Sequence, residues 1–221
     1  MPRVKICGVR RPEDLQAAIA AGADAVGLNF VARSPRFVGD AKAAAKLVRD
    51  ARAPKSFLYA GVFVDATLDE IRTAVDAAQL AVLQLHGYES PQFVADVQRQ
   101  FPNLRVWKAM RIATREDLDA LRGYVCHGWV LDSKVEGIHG GSGKTFDWTL
   151  LNGVAWPTEL ILSGGLNPAN VAEAIRQVKP DWVDVASGVE SAPGIKDANL
   201  IKKFVHLALH CMHNAQEPKA P

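Results

Sequence analysis

Short apolar runs recur along the chain, and an amphipathic, often alanine-rich stretch follows most of them. The runs at 4–9, 25–30, 58–64, 81–85, 105–111, 128–131, 160–162 and 182–186 predict strands. They are nearly continuous in apolar residues, as strands covered on both faces should be. The intervening stretches predict helices. Residues 12–21 open on Pro12 and stop at Gly22. Residues 41–50 carry apolar positions at helical spacing, and Thr67 with Glu70 has the capping-box pattern. Ser90 or Pro91 starts a helix to Gln100, and Thr114 with Asp117 opens another over 115–121. Asn167, Pro168 and Asn170 lead into 171–178, and Asp197 or Asn199 into 200–210.

Strand followed by helix, many times over, implies parallel strands joined by right-handed crossovers. The spacing of roughly 25 residues per unit lies at the lower end for a (β/α)8 barrel. A doubly wound open sheet is the rival, but Cys7-Gly8-Val9-Arg10-Arg11 after the first strand is not its glycine fingerprint. The expected fold is therefore an α/β TIM barrel, a single domain over residues 1–215. Residues 216–221 are polar and contain two prolines, and they read as a frayed tail.

The 221 residues are 48% hydrophobic and 23% charged, enough for a substantial core. A net charge of +2 gives no case for a nucleic-acid or membrane-surface partner. The three cysteines, Cys7, Cys126 and Cys211, form no disulfide framework, which fits a reducing compartment. No signal-peptide core follows Met1, and no apolar run approaches the ~20 residues that span a bilayer. A cytoplasmic protein is expected.

The C-terminal ends of barrel strands are where chemistry is done. Those positions carry Cys7, residues Asn29 to Arg36, Asp65, Gln84, His86, Arg111, Asp132, Ser163-Gly164-Gly165 and Ser187-Gly188. A thiol at Cys7 is a nucleophile, a proton carrier or simply a space-filling core residue. Glycine loops after strands seven and eight are a common phosphate site, because backbone N–H groups can approach an anion closely there. The run Gly140-Gly141-Ser142-Gly143-Lys144-Thr145 resembles a P-loop, but Ile138 stands where the Walker pattern needs glycine. It reads as a mobile loop that closes over a ligand. Asp132 follows Trp129-Val130-Leu131, where partial desolvation suits a carboxyl to donate a proton; a cap or ion-pair role is the alternative. Arg36 offers a guanidinium for a carboxylate or phosphate, or is merely solvated. His86 is a base or a hydrogen-bonded structural residue. His210-Cys211-Met212-His213 has metal-like residue types but no further clustered ligand.

Together these segments resemble the phosphoribosylanthranilate isomerase family over nearly the whole chain. The motifs are Lys5-Ile6-Cys7-Gly8, Gly22-Ala23-Asp24-Ala25-Val26-Gly27, Ser34-Pro35-Arg36, Gly61-Val62-Phe63-Val64 and Leu83-Gln84-Leu85-His86-Gly87. They continue with Leu131-Asp132, the run from Gly140 to Trp148, Leu162-Ser163-Gly164-Gly165-Leu166-Asn167, Ser187-Gly188-Val189-Glu190 and Pro193-Gly194. The resemblance implies a (β/α)8 barrel that performs an Amadori rearrangement of a small phosphoribosyl substrate, with no cofactor and no metal. It implies Asp132 as the acid, Cys7 as a base used as thiolate, and Arg36 as the holder of the anthranilate carboxylate. Gly164, Gly165, Ser187 and Gly188 match the phosphate site, and Gln84, His86 and Gly141 are further pocket candidates. The electropositive rim is expected to favour the Cys7 thiolate. Ala186 stands where the family often has serine. Another phosphosugar barrel is the second reading: an epimerase-like enzyme needs histidine and aspartate metal ligands, and a synthase-like one a lysine, for which Lys5 and Lys108 are available. A phosphate-binding barrel without turnover is the non-enzymatic reading. The sequence leaves monomer and homodimer equally open.

Overall fold

The computed structural model describes residues 1–133 and 145–211. Eight parallel strands close into a barrel in chain order. They are β1 (Arg3–Cys7), β2 (Ala25–Asn29), β3 (Leu58–Phe63), β4 (Val82–Leu85), β5 (Arg105–Ile112), β6 (Gly128–Ser133), β7 (Glu159–Leu162) and β8 (Trp182–Val185). β1 pairs with both β2 and β8, which leaves no edge; Lys5 sits opposite Ala25 on one side and Asp184 on the other. All eight predicted strands are present, each shifted by a residue or two at one or both ends.

The helices outside the barrel are α1 (Pro12–Ala20), α2 (Ala41–Asp50), α3 (Leu68–Ala78), α4 (Pro91–Gln100), α5 (Val171–Val178) and α6 (Ala198–His210). Their starts follow the side chains in the sequence. Thr67 and Glu70 form the reciprocal capping box, and Ser90 and Asp197 cap α4 and α6. Among the described residues, no helix is long and apolar enough to cross a membrane.

Two crossovers depart from helix. After β5, residues Glu116–Gly123 form a 3-10 helix, and after β6 so do Trp148–Leu151. In the first, only Leu118 and Leu121 are buried. That spacing of three matches the 3-10 repeat, so a 3-10 turn seats both against the barrel. Arg115, not Thr114, stands at its N-cap without a side-chain cap, and Asp117 instead accepts from the backbone N–H groups of Ala113 and Thr114 just ahead of the turn. A hairpin of β9 (Glu190–Ala192) and β10 (Ile195–Lys196) follows β8 and was not expected. Its strands are too short to show a period, and only the Pro193-Gly194 turn marks it in the sequence.

Two layers of core follow from strand alternation. Outward-facing residues such as Val4, Ile6, Val26, Leu28, Leu83, Leu85 and Val183 pack against Leu15, Ile71, Val94, Ile201 and Phe204 of the helices. Inward-facing Ala25, Ala60, Val82, Trp107, Val130, Ile161 and Trp182 fill the N-terminal half of the barrel. Trp107 and Trp182 meet edge to face with ring centroids 5.2 Å apart. Two residues further along β4, β6 and β8, the same inward positions are Gln84, Asp132 and Asp184. The interior thus turns polar towards the C-terminal strand ends.

Candidate active site

A cavity of about 470 Å³ opens at those ends. Cys7, Arg36, Gln84, His86, Asp132, Gly164, Gly165 and Ser187 all line it. The C-terminal ends of β1, β4 and β6 and the loops after β2, β4, β7 and β8 therefore meet in one place, as the predicted rim required.

Cys7 closes β1 beside Gly27 of β2. A Cβ built on Gly27 would lie 2.7 Å from the Cys7 sulfur, so the missing side chain makes room for the thiol. Burial pushes the Cys7 thiol above its ordinary value, against the attraction of Lys5, with Asp184 adding to the rise and Lys196 opposing it. The expected electropositive surroundings are present, but desolvation outweighs them. Lys5 lies wholly buried below the thiol and donates to Asp184 Oδ2 at 2.8 Å and to Gln84 Oε1 at 2.9 Å. Burial opposes its charge, yet Asp184 and Cys7 hold the ammonium above its ordinary value. Asp184 also lines the cavity.

Asp132, only 4% exposed, sits near the end of β6. Its Oδ1 accepts from the N–H of Ser133 at 2.8 Å, and its Oδ2 lies 3.3 Å from His86 Nε2. His86 Nδ1 in turn lies 3.0 Å from Gln84 Nε2. Gly164, with φ at +81°, packs against this acid: a Cβ there would stand 2.7 Å from Asp132 Oδ1 and collide with the N–H of Ser133. Gly165 is also left-handed, and its carbonyl accepts from Asn167 Nδ2 and Asn170 Nδ2. Among the described residues, the N–H groups of Gly164 and Gly165 make no hydrogen bond. Gly188 does not line the cavity; it packs behind it against the Leu166 carbonyl, bringing the loops after β7 and β8 into contact.

Arg36 is held more tightly than its loop position suggests. Its Nε and Nη2 each donate to Glu190 at 2.8 Å, a two-point ion pair. Glu190 also accepts from the buried Lys196 Nζ at 2.8 Å. Burial works against the Glu190 charge, but Arg36 and Lys196 overturn that and hold it below the usual carboxylate range. Burial likewise lowers the Lys196 ammonium despite Glu190. Among the described residues, Arg36 Nη1 makes no hydrogen bond, and Arg36 lines the cavity.

Other predicted positions lie outside the cavity. Asp65 Oδ1 accepts from the N–H of Tyr88, and Arg111 Nη1 donates to the Tyr88 hydroxyl at 3.1 Å. Lys108 is buried against Glu89 at 3.0 Å and donates to the carbonyls of Leu85, Gly87 and Ala109, so it is not poised for a synthase-like reaction. Lys5 is equally committed to Asp184 and Gln84. His210 Nδ1 bonds the His206 carbonyl and the two rings stack. Among the described residues, no group of three or more histidine, cysteine, aspartate or glutamate side chains gathers as a metal site. Gly141, its glycine-rich loop through Lys144, His213 and the 216–221 tail lie outside the described residues.

The sequence reading missed Lys5, Asp184, Glu190 and Lys196 as parts of the site. A signal existed for the first two. Val4-Lys5-Ile6-Cys7 and Trp182-Val183-Asp184-Val185 each carry one charge inside an apolar strand, and a buried charge needs a partner.

Residues 4–207 match the family model described as N-(5'phosphoribosyl)anthranilate (PRA) isomerase. The N-(5'-phosphoribosyl)anthranilate isomerase of Geobacter sp. (strain M21) is 42% identical over 93% of this chain and 97% of its own length. That of Myxococcus xanthus (strain DK1622) is 46% identical, covering 93% and 95%. The crystal structure of the phosphoribosyl anthranilate isomerase from Thermotoga maritima superimposes with a TM-score of 0.83 at 36% identity, over 95% of this chain and 99% of that one. A phosphoribosyl anthranilate isomerase structure in complex with reduced 1-(o-carboxyphenylamino)-1-deoxyribulose 5-phosphate superimposes at 0.80, with 34% identity over 95% and 99%. Matched along nearly its whole length in sequence and in fold, the chain belongs to the N-(5'-phosphoribosyl)anthranilate isomerase family.

Proposed function

We propose that the cavity isomerises N-(5'-phosphoribosyl)anthranilate to 1-(2-carboxyphenylamino)-1-deoxyribulose 5-phosphate by acid–base chemistry, with Asp132 as acid and Cys7 as base. One observation carries this reading: Cys7 and Asp132 line a single cavity whose wall includes the paired left-handed glycines Gly164 and Gly165. The Asp132 carboxyl gives its proton to the ribose ring oxygen. The C1'–O bond breaks, its electron pair stays on oxygen, and the anilino nitrogen lone pair forms the C1'=N double bond. Cys7, its thiol proton first lost to solvent and its thiolate drawn against burial by Lys5 and Lys196, then removes the C2' proton. The released pair forms C1'=C2', and the C1'=N pair returns to nitrogen. The resulting enolamine becomes the ketone when its hydroxyl proton leaves and C1' gains one. A proton returned from Cys7 to Asp132, through that tautomerisation or through solvent, restores the pair.

The remaining residues supply binding. The N–H groups of Gly164 and Gly165, with Ser187, receive the phosphate, and Gly188 keeps the adjoining loop close. The carboxylate of the anthranilate ring goes to the guanidinium edge of Arg36 that Glu190 leaves open. Gln84 and His86 complete the floor. The reaction belongs to tryptophan biosynthesis in the cytoplasm.

The test is the fluorescence decay of N-(5'-phosphoribosyl)anthranilate with purified protein, with and without a chelator. Turnover unaffected by chelator is expected. Binding of the substrate without turnover would leave a phosphate-binding barrel and overturn the proposal.

A further inference from the structure

Along the wall of the cavity, with Lys5 beneath it, runs an unbroken chain of side-chain contacts that joins the two halves of the site. Asp184 Oδ2 meets Lys5 Nζ at 2.8 Å, and Lys5 Nζ meets Gln84 Oε1 at 2.9 Å. Gln84 Nε2 meets His86 Nδ1 at 3.0 Å, and His86 Nε2 meets Asp132 Oδ2 at 3.3 Å. Lys5, Gln84, Asp132 and Asp184 are all buried, so water does not readily replace these partners.

The donor inventory fixes the direction of every link. An ammonium has only hydrogens to offer, so the Gln84 atom facing Lys5 must be its oxygen. Turning the amide over would set NH2 against NH3⁺ in a buried place, with neither side able to accept. The Gln84 NH2 therefore faces His86 and can only donate. His86 Nδ1 must accept, which places the ring hydrogen on Nε2, pointed at Asp132. Asp132 is thereby gripped on both oxygens, by the N–H of Ser133 at Oδ1 and by His86 at Oδ2. Each oxygen keeps a further lone pair for the catalytic proton.

We propose that Lys5 and Gln84 select the Nε2–H tautomer of His86, and that Gln84 and His86 act as positioning residues that aim the Asp132 carboxyl at the substrate. Neither residue exchanges a proton with substrate. The proposal rests on the reading of Asp132 as the acid, but its tautomer half stands apart from that reading.

Two measurements test it. In protein labelled with ¹⁵N-histidine, the His86 ring, assigned by comparison with His86→Gln, should show a hydrogen-free Nδ1 and a hydrogen-bearing Nε2. Gln84→Glu, equal in shape but accepting only, should move the hydrogen to Nδ1. Gln84→Met should lower kcat at least about tenfold and leave KM within about twofold, the split expected when ground-state binding is untouched. His86→Phe should do the same, whereas His86→Gln, whose amide N–H replaces the Nε2–H, should recover most of the lost rate. A protonated Nδ1 in the native protein overturns the tautomer assignment. Full activity in both Gln84→Glu and His86→Phe overturns the positioning role. If Asp132→Asn keeps its turnover, the acid assignment fails while the ring spectrum still decides the tautomer.

Discussion

The two halves of the barrel interior are built from the same strands and obey opposite rules. In the N-terminal half, Trp107 and Trp182 meet edge to face among Ala25, Ala60, Val82, Val130 and Ile161. In the C-terminal half, two residues further along, Lys5, Gln84, Asp132 and Asp184 face the axis. The first half gains from removing apolar surface from water, about 25 cal/mol per Å². The second buries charges whose desolvation consumes much of what their pairing returns. One half therefore stabilises the barrel, and the other is tolerated because that half carries it. A fold of this kind can concentrate ionic groups at one end only if the other end closes without them.

The sharpest way to break this contrast is at the aromatic pair. Trp182→Ala should cost about 3–5 kcal/mol of stability, the usual range for truncating a buried tryptophan. Urea unfolding should show a lower midpoint and an unchanged slope. A loss below about 1 kcal/mol would mean that the lower half is not the anchor.

Next in size come the groups of the upper half. Cys7→Ala and Asp132→Asn should each lower kcat at least ~10²-fold. Their thermal midpoints should stay close to that of the parent protein, since neither substitution opens a large void in the apolar plug. Near-normal decay of substrate fluorescence in either variant would remove that residue from the acid–base pair.

A thiol outside the barrel interior, Cys126, tests by titration how dry the surrounding core is. Cys126 lies just before β6, its sulfur against the Gly128 carbonyl, and burial pushes its pKa from 9.0 up to about 11. A folded-state pKa above the unfolded one contributes stability that is complete below pH 9 and lost as pH rises towards 11. The expected loss is about 2–3 kcal/mol across that window. Denaturation midpoints measured across that window should fall more steeply for the native protein than for Cys126→Ala. Equal slopes would mean that the thiol is not held in an apolar place.

The smallest effect is expected at Arg36. Arg36→Ala should raise KM by about tenfold and change kcat less, because a carboxylate contact made in both ground and transition states is lost from both. A defect confined to kcat would assign the guanidinium to the chemical step. Since Glu190 shares the guanidinium, Glu190→Gln should weaken binding in the same direction but by less.

Much of this site was legible as residue types at strand ends. Cys7, Arg36, Gln84, His86, Asp132, Gly164, Gly165 and Ser187 all reach one cavity because period-two strands in a closed barrel send them to one rim. Asp65 and Arg111 occupy the same rim in the sequence yet turn to Tyr88, and Gly188 packs behind its loop. Position along a strand does not say which way a loop residue leans. Nor does it say that Arg36, separated by 154 residues from Glu190, is already paired with it.

Strand order, the capped helices and the polar rim were written locally, in hydrophobic period and in side chains that bond their own backbone. The choice between helix and 3-10 turn after β5 was not, because the spacing of Leu118 and Leu121 matters only once there is a barrel wall to meet. Closure alone brings Lys5 beside Asp184, Lys5 beside Gln84 and His86 beside Asp132. These contacts link β1 to β8, β1 to β4 and β4 to β6. Whether each buried charge is stable, how strongly the Cys7 thiol holds its proton and which nitrogen of His86 carries hydrogen depend on neighbours that are distant in the chain. Desolvation and hydrogen-bond pairing are properties of the assembled interior, so only the folded barrel could decide them.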